Sequence, residues 1–165
     1  MKQTEKHLPN ASVALAARFK ELVSGKWIAQ TNYSELLSDL NWQQATKKIG
    51  SLNTIAALTY HVNYYIAGLV KVFQGGPLDI KDKYSFDLPD INSEEEWRSL
   101  AEKLIQNANT FVELVEAMSD DKLQSPFIQE QYGDYRRNIE GIIEHSYYHM
   151  GQLVLLKKMI LASEE

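Results

Sequence analysis

The sequence predicts an all-α fold, a four-helix bundle with long interhelix loops, built as a single domain over residues 1–165. Apolar residues recur at three-and-four spacing over four long stretches, the mark of helices that bury one face. No stretch sustains the alternation of a strand, and no fixed-period repeat or Ser/Gly-rich linker divides the chain. Four helices of three or more turns with two long middle connections satisfy these observations.

The first helical pattern runs from Asn10 to about Leu40 and carries Val13, Leu15, Ala16, Phe19, Leu22, Val23, Trp27, Ile28, Leu36, Leu37 and Leu40. It reads as one long helix with Gly25 as its weak point and Asn10 or Ser12 as its cap. Residues 41–50 are polar and end in a glycine, so a loop is expected there. A second helix over residues 52–73 buries Ile55, Leu58, Val62, Tyr65, Ile66, Leu69, Val70 and Phe73, and Gly75-Gly76-Pro77 stops it. Residues 78–92 show no period and read as a long ordered loop.

Ser93 followed by three glutamates is an N-cap with an acidic first turn, complementary to the positive end of a helix. The third helix continues to about Met118 on a stripe of Trp97, Leu100, Leu104, Ile105, Ala108, Phe111, Val112, Val115 and Met118. A short helical turn is expected at Ser119-Asp120-Asp121. Residues 125–137 form an irregular connection, with a brief strand and turn in 127–135 around Gly133. The last helix begins near Asp134 and ends near Ala162.

Composition narrows the function. The 44% hydrophobic and 24% charged residues are those of an ordinary globular protein. A net charge of -5 without a Lys/Arg block argues against nucleic acid as a partner. No apolar run approaches the roughly 20 residues of a membrane span, and the short apolar run at residues 11–17 reads as helix, not signal peptide, so the expected compartment is the cytoplasm. Cysteine is absent, which leaves histidine and carboxylates as metal ligands.

Against that background, His145 and His149 lie four residues apart, on one face of the last helix. His61 shares a face of the second helix with Thr54, Leu58 and Tyr65. All three histidines therefore point inward, and together they make a candidate metal site. The pattern alone leaves a second reading open, in which each ring is separately buried and hydrogen-bonded. Burying two titratable rings side by side is costly unless something satisfies both, and a metal ion does so. His7 lies in the polar terminus and carries no weight, and Glu144 faces away from the pair. Tyr65 and Tyr148 are candidate proton donors near such a site. Asp79, Asp82, Asp87 and Glu130 read as surface charge in the loops.

The segments Leu58-Thr-Tyr-His61-Val-Asn-Tyr-Tyr65 and Glu144-His-Ser-Tyr-Tyr-His149-Met-Gly-Gln152 resemble those of the DinB-like superfamily, and the resemblance covers nearly the whole chain. It implies a DinB-like four-helix bundle that encloses a divalent ion held by His61, His145 and His149. The superfamily includes YfiT-like metal-dependent hydrolases and bacillithiol transferases, and homodimers are common in it. The implied ion is zinc or nickel as the protein is prepared, and imidazole ligands suit several first-row metals.

Three neutral ligands leave a metal with its charge and an open position for a small-molecule substrate. The resemblance accordingly implies a thiol S-transferase using a low-molecular-weight thiol as cofactor. Two alternatives stand beside it. One is a hydrolase using metal-activated water, and the other is a non-catalytic, metal-stabilised bundle whose Tyr84, Phe86 and Trp97 present an interaction surface.

Overall fold

The computed structural model of the chain describes residues 10–27 and 30–164, which leaves His7 and Ile28 outside the described residues. Four long helices form the body: α1 (Ala11–Ser24), α4 (Ile55–Phe73), α5 (Glu94–Glu116) and α7 (Tyr135–Ala162). Three short ones decorate it: α2 (Tyr33–Ser38), α3 (Trp42–Thr46) and α6 (Asp120–Gln124). There is no strand among the described residues, and the brief strand expected in 127–135 is reduced to a single bridge between Pro126 and Asp134.

The first helical pattern is not one helix. α1 stops at Ser24, and the Asn32 side chain does two things at once. Its amide nitrogen donates to the Gly25 carbonyl at 2.9 Å, while its oxygen caps α2 by accepting from the Glu35 N–H at 2.9 Å. A buried asparagine with both ends engaged turns the chain where periodicity ran on. Trp27, counted in the stripe, consequently lies outside the core at 85% exposed. The loop expected at 41–50 also contains α3, whose capping box pairs Asn41 with Gln44.

The other long helices lie close to their predicted spans because their caps are local. Thr54 accepts from the Ala57 N–H, Ser93 from the Glu96 N–H and Asp134 from the Arg137 N–H. Gly75, with φ of 89°, supplies the left-handed residue just beyond α4. Helix α5 packs against α1 and α4, and α7 packs against the same two helices from the other side. The cyclic order is therefore α1, α5, α4, α7, which makes neighbours of the two helices carrying histidines.

The core is a continuous apolar cluster in which Phe19, Trp97, Phe111, Leu104, Ile139 and Ile143 are among the fully buried side chains. Trp97 donates its indole N–H to the Leu40 carbonyl at 2.8 Å. It is 0% exposed, so it takes no part in the surface expected around Tyr84 and Phe86, which are themselves exposed. Near the histidines, the buried Tyr33 hydroxyl donates to the Ser146 carbonyl at 2.7 Å and pins α2 to α7. Burial holds that phenol far above its usual pKa, so it remains a donor.

Candidate metal centre

His61 projects from the middle of α4, and His145 and His149 project from α7 across the helix contact. The i,i+4 spacing stacks the two α7 rings on one face. Their Nε2 atoms are 3.1 Å apart, and His145 Nε2 is 3.2 Å from His61 Nε2. All three ligand-capable atoms lie within 4.8 Å of one another, so the three histidines form a group that can hold a metal ion.

The donor geometry fits a cation. Imidazole ligands at 2.0–2.1 Å in a tetrahedral site stand about 3.3 Å from each other, close to the separations found here. The contact between His149 Nδ1 and Gln152 Oε1, 2.8 Å long, adds a tautomeric argument. An amide oxygen only accepts, so Nδ1 carries the proton and the Nε2 lone pair faces the other rings. Without a cation, one N–H on His145 serves only one of its two neighbours well, and the buried Nδ1 atoms of His61 and His145 have no hydrogen-bond partner. The Ser85 backbone lies close enough to His61 to raise its pKa without making a hydrogen bond of good geometry to Nδ1.

Burial keeps the rings neutral, which is the form that ligates. Burial first, then the neighbouring His149 and His61, pushes His145 down to about 4. Burial also lowers His61 and His149, with His149 adding to the effect on His61 and Gln152 opposing it on His149.

The 78–92 loop closes one side of the centre. The Phe86 ring stacks on His61 with centroids 4.1 Å apart and planes inclined by 14°. The loop is tied to α4 at three further points: the Tyr64 hydroxyl pairs with the Lys81 backbone, Tyr65 donates to Asp82 Oδ1 at 2.8 Å, and Ile80 lies over Gly68. A Cβ on Gly68 would fall 2.5 Å from Ile80 Cγ1, so any larger residue there would force the Ile80 side chain to move.

Of the two tyrosine candidates, Tyr65 sits in the centre, its ring edge-on to His61 and His145 at 5.1 and 5.0 Å. Tyr148 packs edge-on against His149 but is 64% exposed. Asp82, read as surface charge, is exposed and is also the hydrogen-bond partner of Tyr65. Glu144 is solvated and lies 3.6 Å from Arg137. Helix geometry puts Gln152 on the face of His145 and His149 but gives it no role; its position three residues after His149 is the spacing at which helical side chains meet.

A cleft of about 700 Å³ opens beside His145, between α4, α7, the 78–82 segment and the turn at 131–133. Its apolar wall includes Leu69, Leu78, Ile80 and Ile142, and its polar groups include Tyr65, Asp82 and Arg137. Both long loops thus border the space next to the histidines. No helix among the described residues is long and apolar enough to cross a membrane.

Comparison with curated proteins and with solved structures returned no match. The family model of the DinB superfamily matches residues 28–153, a span that takes in α4, α5, both loops and all three histidines. With the helical bundle and the histidine group as described, the chain belongs to the DinB superfamily.

Proposed function

We propose that this protein is a divalent-metal-dependent enzyme that transfers a low-molecular-weight thiol to a small electrophile. The observation that carries this reading is the convergence of three imidazole Nε2 atoms beside a cleft large enough for a small molecule. His61, His145 and His149 would hold the ion, and Gln152 would hold His149 in the ligating tautomer. When bound, a divalent cation lowers the pKa of a thiol at its open position and makes a thiolate available near neutral pH. Phe86 shields the His61 side from water, and the apolar wall of the cleft orients the electrophile. Tyr65, held by Asp82, is placed to hydrogen-bond a group bound near His145.

The openness of the cleft to solvent favours one second reading, hydrolysis with water as the nucleophile. Added thiol separates the two. Protein loaded with zinc or nickel is incubated with a small thiol and monobromobimane, and thioether fluorescence is followed. Thiol transfer predicts a rate that saturates with thiol and falls to the uncatalysed rate in His145→Ala. A rate no greater than that of the free reagents, across metals and thiols, would count against transfer.

A further inference from the structure

Arg137, Gly141 and His145 follow one another at four-residue intervals on α7, and all three line the same cleft. Eight residues at 1.5 Å each place Arg137 and His145 about 12 Å apart along the helix axis. Gly141 lies between them as an interior residue of a 28-residue helix, where glycine is unfavourable. Its packing does not call for glycine, because a Cβ built there has nothing within 4 Å. What the missing side chain leaves is an open floor between a guanidinium and the histidine group.

The walls of this channel are apolar and its ends are polar. Leu69 and Ile142 come from the helices, and Leu78 and Ile80 from the loop. Arg137 is the one Lys or Arg side chain lining the cleft among the described residues, and the Asp82 carboxylate, which accepts the Tyr65 hydroxyl, stays at the end of the cleft near Tyr65 and His145. Among the described residues the Arg137 guanidinium forms one ion pair, with Glu144 at 3.6 Å, both side chains being 66% exposed, while the Asp134 carboxylate is engaged by the Arg137 backbone N–H at 2.7 Å. An exposed pair of that kind contributes little and yields readily to a better-placed anion. The rim is fastened: Asn138 donates to the Tyr132 carbonyl at 2.9 Å and to the Asp134 carbonyl at 2.7 Å. Gly133, with φ of 71°, brings the 131–133 turn over the Arg137 stem.

We infer that the substrate of this cleft is an elongated small molecule with an anionic group, bound with the anion at Arg137, its apolar body over Gly141 and its other end at His145. Guanidinium is suited to a carboxylate, which it can grip through two parallel N–H donors. The inference deepens the proposed function by naming a substrate class, and it rests on that reading only for the chemistry at the His145 end. The Arg137 end needs no metal.

The test uses octanoate and octanamide, which share an apolar chain and differ in charge, titrated into the chelator-treated 165-residue chain and followed by methyl NMR. The expected result is shifts at Leu69, Leu78, Ile80 and Ile142, with octanoate binding about tenfold tighter than octanamide. Arg137→Gln brings the two within about twofold of each other, and Gly141→Leu, which fills the floor, abolishes the binding of both. Absence of octanoate binding, equal affinity in the wild type, or a preference that survives Arg137→Gln would overturn the inference. A chain that prefers octanoate yet takes up no zinc would lose the proposed function and keep this one.

Discussion

His149 and Gln152 are joined by a 2.8 Å contact between Nδ1 and Oε1, and that contact decides which nitrogen of His149 faces His145. An amide acceptor at Nδ1 places the proton there and aims a lone pair from Nε2 into the histidine group. Gln152→Leu removes the acceptor and is expected to weaken zinc binding about 10- to 100-fold, the cost typical of losing a group that orients a ligand. Gln152→Glu keeps an acceptor and should restore most of the affinity. Competition against a chromogenic chelator reads both, and unchanged affinity in Gln152→Leu would remove Gln152 from the site.

Metal removal should lower thermal stability. At free zinc one hundred times the dissociation constant, linkage gives about 2.7 kcal/mol, or roughly 5–10 °C in a domain of this size. His61→Ala, His145→Ala and His149→Ala should each abolish that zinc-dependent increment. Calorimetry with and without zinc checks it.

The metal-free chain should lose stability as pH falls. Burial holds the folded pKa of His145 near 4, below its ordinary value of about 6.5, and His61 and His149 are lowered too. Between those values the unfolded chain binds protons that the folded chain does not, so unfolding is favoured as pH drops. The loss therefore begins below about 6.5 and levels off near 4 for His145. His145→Gln should flatten this window in urea titrations, and an unchanged profile would contradict the assignment.

Gly141→Ala should raise folding stability by about 1 kcal/mol, because helix propensity improves and the Cβ meets open space. Chemical denaturation measures it. A destabilised variant would mean that the floor of the cleft is packed, not open.

Helix geometry was enough to bring the three histidines together as a candidate metal site, since the i,i+4 pair and the inward face of His61 require only regular helices; it left separately buried rings as an open reading, and the resemblance to the superfamily supplied the ligand set. Contacts between distant segments stayed hidden from it. The weak point expected at Gly25 is where α1 ends, but Asn32, which grips Gly25 and caps α2, looks like any loop asparagine, so a single long pattern was expected where two helices stand. The stacking of Phe86 on His61 and the pairing of Tyr65 with Asp82 depend on how the 78–92 loop lies over α4, which periodicity does not encode. Trp97 lies on its predicted stripe and was also offered as a surface residue; its bond to Leu40 and full burial decide for the core. Trp97→Phe, which orphans the Leu40 carbonyl and leaves a void, should cost at least about 2 kcal/mol in denaturant unfolding.

The measurement that bears most directly on the account is the metal content of untagged protein, dialysed against zinc and then against buffer, for the wild type and His145→Ala. His145 Nε2 lies within 3.2 Å of both other ring nitrogens, so it is the ligand whose loss the group tolerates least. The account predicts close to one zinc per chain in the wild type and almost none in the variant. A wild type that retains no zinc, or a variant that retains as much, would contradict it.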